Sequence, residues 1–200
     1  MPIKDIVDLL REFLVRRHEP TVNLHFDLIE PLQDQIIDIH DTYRKLFLET
    51  KSALSKLARF DPDRDAAAFK KVKSKFCKAR AKRSHLRDYL RTQASTLLHD
   101  TRDKEVRRYL ITLIHYFLEQ KSFAPSERSL DGMIEDAIEK GVTYYHSPSS
   151  EVERRMARTK SPSEAREIVE EVMNGLNQRF FEVAVRYTRL KHRVSKLPRT

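Results

Sequence analysis

Two stretches of this chain repeat their seam residues at alternating steps of three and four. A chain written that way forms long helices that pack along a seam. Between residues 31 and 60, Leu32, Ile36, Ile39, Tyr43, Leu46, Thr50, Ala53, Leu57 and Phe60 follow a 4-3-4-3 spacing. Between 65 and 98, Phe69, Val72, Phe76, Ala79, Arg83, Leu86, Leu90, Gln93 and Leu97 follow the opposite phase. Asp61-Pro62-Asp63 interrupts the two runs, and residues 61–64 read as the turn of a hairpin. Helices of matched length joined by so short a turn pack antiparallel. Each is roughly 45–50 Å long at about 1.5 Å per residue.

The rest of the chain extends the same theme. Residues 3–17 read as a short amphipathic helix on Ile3, Ile6, Val7, Leu10, Phe13 and Leu14, and 19–30 as an irregular connector. Residues 103–121 are the most apolar helix and the expected centre of the fold. A shorter helix runs from about Ser126 to Lys140 and closes at Gly141. Residues 142–160 lack periodicity and read as an exposed loop, with Tyr144, Tyr145 and His146 as candidates for partner contact. Ser161-Pro162 opens a last helix to about Lys196, with a seam from Val169 to Leu197. The expectation is an all-α fold of about six helices in one domain, 1–200. In it the hairpin packs with the central apolar helix and the C-terminal helix. Seams this long also suit pairing with a second copy.

Only 3 of the 200 residues are glycine, which argues against dinucleotide-binding and phosphate-binding loops. Charged residues make up 34%, which suits long helices with broad solvated faces. Cys77 is the sole cysteine, so no intrachain disulfide forms, and a reducing compartment is expected. Charges interrupt the first residues, so no signal peptide is read there. The most apolar stretch, Leu110 to Leu118, is too short to span a bilayer. The expected location is cytoplasmic, with no membrane partner.

Charge distribution is the most informative functional feature. Between Lys70 and Arg91 stand ten positive residues and one acid, Asp88, so this segment alone carries the net charge of the whole chain, +9. In the hairpin half nearest the turn, residues 44–83, fourteen positive residues face four acids, whereas Asp34, Asp38 and Asp41 lie toward the other end. A single-sign field of this size attracts polyanions. The candidate anion-binding residues are Lys70, Lys71, Lys73, Lys75, Lys78, Arg80, Lys82 and Arg87. On a helical wheel, Lys71, Lys75, Lys78 and Lys82 line one flank of the seam, and Lys73, Arg80, Arg87 and Arg91 line the other. Lysine suits phosphate as a point charge rather than base edges, so the expected contact is with a nucleic-acid backbone or ribonucleoprotein. An acidic protein surface is the alternative partner, with the chain as a structural subunit. Arg83 is a polar seam position expected near Tyr43 and Asp41. Arg186, Arg189, Lys191, Arg193, Lys196 and Arg199 form a second basic run.

Enzymatic signals are sparse. No Glu-x-x-His pair of the di-iron kind occurs, and one cysteine with scattered histidines does not make a zinc site. No metal or cofactor is expected. In HEPN-type nucleases an Arg and a His separated by four to six residues act on RNA, and Arg80 and His85 have that spacing. So do Arg11 and His18, Arg108 and His115, and Arg186 and His192, and Ala81 stands where that motif has a polar residue. A ribonuclease built on Arg80 and His85 is therefore the third reading, behind a non-enzymatic binding protein. His115 is expected as a hydrogen-bonded core histidine. Cys77 is expected to be structural, with a basic helix around it that would lower its pKa.

Overall fold

The computed structural model describes residues 25–118 and 148–196, all of them helices and short connections. A π-helical turn, His25–Ile29, leads into α1, Glu30–Ser55. Then follow α2, Pro62–Asp100, α3, Lys104–Leu118, α4, Pro148–Arg158, and α5, Pro162–Val194. The all-α class and the long hairpin are as the sequence predicts. The expected helices at 3–17 and 126–140 lie outside the described residues, as do Tyr144, Tyr145 and His146.

Local chemistry sets the boundaries. After Ser55 the backbone tightens into i→i+3 bonds, Leu57 N to Leu54 O and Ala58 N to Ser55 O, so α1 stops five residues short of the expected end. Asp61 caps α2 by accepting from the Asp63 N–H at 3.0 Å, and the Asp65 carboxylate accepts from the Asp61 N–H in return. That bond holds the Asp65 carboxyl below its ordinary pKa. Asp103 caps α3 through the N–H groups of Glu105 and Val106. Ser161 caps α5 through the N–H of Glu164.

The helices form an up-down-up-down bundle whose third strand is split. Residue pairs give the directions. Phe47 meets Phe76 and Tyr43 meets Arg80, so α1 and α2 are antiparallel. Glu30 meets Lys191, His40 stacks on Phe180 and Lys51 pairs with Glu170, so α5 runs antiparallel to α1 along its whole length. Gln33 meets Tyr109 and His40 meets Tyr116, so α3 runs parallel to α1 in the half away from the hairpin turn, the base. In the other half, the tip, α4 takes over that corner: Glu153 reaches Arg80, and the α4 C-terminus reaches Lys73.

Being a bundle strand, α1 buries more than a two-helix seam. Beside Leu32, Ile36, Tyr43 and Leu46 it buries Gln33, His40, Phe47 and Leu54, a second row spaced by seven. The α5 seam is buried at Val169, Val172, Leu176, Val183, Leu190 and Val194. Two expectations are corrected. Residues 148–158 are a helix, not exposed loop, because Val152 and Met156, one turn apart, bury themselves against the rest of the bundle. Residues 25–29 are a helical turn, not irregular connector.

Candidate anion-binding surface

Positions 71, 75, 78 and 82 fall within about 60° of one another on a helix that turns about 100° per residue. On α2 that face looks away from α4, with Lys75 at its edge toward α1, and Lys71, Lys75, Lys78 and Lys82 are all exposed. Arg64, two turns before Lys71, continues the stripe, which spans about 27 Å at about 1.5 Å per residue. Neutralisation along it is slight. Glu49 of α1 approaches Lys75 to 3.9 Å while the lysine side chain stays 77% exposed, and Arg64 pairs with its neighbour Asp65. Among the described residues no carboxylate pairs with Lys71, Lys78 or Lys82. Lys70 is exposed on the flank. Arg64 was not among the sequence candidates, although its seven-residue step to Lys71 is the signal that identifies it.

Other candidates are drawn inward. Lys73 lies over the Phe69 ring at 4.6 Å and donates to the backbone carbonyls of Ala157 and Thr159, holding the end of α4. Arg80 is fully buried and Arg87 nearly so. The Arg80 guanidinium sits 5.6–5.8 Å from the ring centres of Tyr43, Phe47 and Phe76, and its Nε is 4.0 Å from the Glu153 carboxylate. Arg87 lies 5.7 Å from the ring centre of Tyr43 as well. Neither belongs to the exposed surface. The positions predicted beside Tyr43 shift accordingly: Arg80 and Arg87 take the place assigned to Arg83, whose guanidinium instead turns back to the Ala79 carbonyl. The reason is stereochemical. A long apolar stem and a flat, weakly hydrated head let arginine pack on aromatic faces, which a polar-or-apolar reading does not register.

Arg80 also bears on the ribonuclease reading, since a guanidinium enclosed by three rings is closed to RNA. His85 lies further along α2, with its side chain outside the described ones. In the second basic run, Lys191 pairs with Glu30 and Arg193 with Asp103, so part of that run serves the fold. Cys77 is half-buried, and desolvation raises its pKa despite the cations around it, which corrects the expected lowering. The enclosed histidines are His25 and His40, the latter with its Nδ1 3.3 Å from the Tyr116 hydroxyl, whereas His115 is only partly covered.

Among the described residues no group of His, Cys, Asp or Glu could hold a metal, and no helix is long and apolar enough to cross a membrane. Comparison of the chain with protein-family models, with curated proteins and with solved structures found no match.

Proposed function

We propose that the protein is a non-enzymatic binding module that holds a nucleic-acid backbone along the lysine stripe of α2. The observation that carries this reading is the run of exposed Lys71, Lys75, Lys78 and Lys82, continued by Arg64 and, among the described residues, neutralised only by Glu49 and Asp65. Among the described residues the exposed large apolar side chains, Phe26, Ile37, Leu48 and Phe181, all lie off α2. Tyr89, two turns beyond Lys82 on the lysine face, is partly buried, so no fully exposed ring for base stacking stands among the lysines. Contact is then through phosphates, with weak sequence preference and a steep dependence on salt.

Fluorescence polarisation with labelled duplex DNA and with single-stranded RNA, from about 50 to about 300 mM salt, tests this. The expected result is binding whose log–log salt slope for duplex is about −3.5 to −4.5, from four or five phosphate contacts. Replacing Lys71, Lys75, Lys78 and Lys82 together by Glu removes binding and leaves the thermal midpoint in place, because all four side chains are exposed. Equal affinity in that variant overturns the proposal.

A further inference from the structure

The opposite face of α2 carries a second surface, of different chemistry. Positions 62, 66, 69, 73, 77 and 80 lie on one stripe, about half a turn round the helix from the lysines. At Arg80 this stripe is sealed by α4. Further toward the tip the cover ends, because α4 stops at Arg158 and its C-terminal carbonyls lie level with Lys73. Among the described residues, the first turns of α2 therefore have α1 on one side and an open bundle corner on the other. The corner is a groove of about 650 Å³ with Phe60, Pro62, Ala66 and Phe69 in its wall. Phe60 and Phe69 meet edge to face, 5.5 Å between centres. Lys70 and Lys160 stand at its rim, Cys77 lies at its inner end, and among the described residues none of those lining it is acidic.

We propose that this corner docks a short helix of a partner protein, one with an apolar stripe flanked by carboxylates. The vacant length, from Pro62 to Lys73, is about 16 Å, or three turns of helix. An apolar stripe in that place would continue the packing that Val152 and Met156 of α4 provide lower down. Carboxylates flanking the stripe would meet Lys70 and Lys160; of the nearby acids, Asp61 and Asp65 cap α2 and Glu164 accepts from the Lys160 N–H at 2.8 Å, while Asp63 stands exposed in the first turn. This is recognition of a helix in a groove, on a face that the nucleic-acid reading does not use.

The test uses the full chain and a fluorescein-labelled 14-residue peptide with Leu and Phe at helical spacing and Glu or Asp between. A scrambled peptide of identical composition is the control. The expected result is saturable binding of the patterned peptide at about 0.15 M salt, at least about tenfold tighter than that of the scrambled one. Occupancy should slow alkylation of Cys77 severalfold. Ala66→Glu, at an exposed position in the wall, should weaken peptide binding by about tenfold or more while leaving the thermal midpoint and nucleic-acid binding unchanged. The lysine-stripe variant should show the reverse pattern. Absence of peptide binding overturns the proposal. So does equal affinity for the two peptides, which marks mere charge attraction, or a peptide affinity unaffected by Ala66→Glu.

Discussion

Both halves of the bundle bury a nitrogen-bearing side chain among aromatic rings, but with different chemistry. In the base, the His40 ring stacks on Phe180 at 3.8 Å between centres and meets the Tyr116 hydroxyl, and His25 lies buried against Tyr187. In the tip, Arg80 is surrounded by Tyr43, Phe47 and Phe76. An imidazole can enter an apolar interior neutral, having given up its proton. A guanidinium keeps its charge at any pH, so its burial calls for a carboxylate, and Glu153 supplies one. The base thus buries imidazoles that answer to acid, and the tip a guanidinium that answers to loss of its partner.

The sharpest way to break the comparison is at Arg80. Arg80→Ala leaves a cavity among Tyr43, Phe47 and Phe76 and removes the pair with Glu153, so stability by denaturant titration should fall by about 3–5 kcal/mol. Arg80→Met restores volume without charge and should recover most of that loss. Equal losses in the two variants would show that the ion pair, rather than packing, dominates.

Acid is the corresponding probe of the base. Burial lowers the pKa values of His25, His40 and His115 from the model-peptide 6.5, so the unfolded state takes up protons first as the pH falls. Stability from these groups is full above about pH 6.5 and declines below it, toward their lower folded-state pKa values. The thermal midpoint should drop through that window, and His40→Leu should flatten the decline. A midpoint independent of pH there would remove the distinction between the halves.

Smaller effects refine the picture. Ser161→Ala removes the cap of α5 and should cost about 1 kcal/mol by thermal denaturation. Lys51→Ala breaks a half-exposed pair with Glu170 and should change stability by less than about 1 kcal/mol.

How far this could be read from the sequence varied along the chain. The α5 seam was fully visible, because Val169 to Val194 keep a helical period and Ser161-Pro162 marks the start. The exposed lysine face was visible too, since a 4-3-4 step of like charges has only one place on a bundle. The register of α2 was not. The heptad spacing put Ala79, Arg83 and Leu86 in the seam, so Arg80 and Arg87, one position after Ala79 and Leu86, read as exposed flank. Residues 148–158 were missed for a related reason. A short charged helix with only Val152 and Met156 to bury draws its stability from neighbours rather than its own pattern. The open corner follows from where α4 stops beside α2, which no single segment reveals.

The pairing of α1 with α5 bears on how the chain folds. The helices α1 and α2, α2 and α3, and α4 and α5 are neighbours along the chain, and their contacts form by short loop closures. Glu30 and its partners Tyr187 and Lys191 lie 157 and 161 residues apart, among the longest closures of the described contacts. Such closures cost the most chain entropy and slow folding. The α1–α5 seam should therefore be the last to zip shut and the first to open. Since its base end holds His25 and His40, acid should part the two ends of the fold before it disturbs the hairpin that carries the lysines.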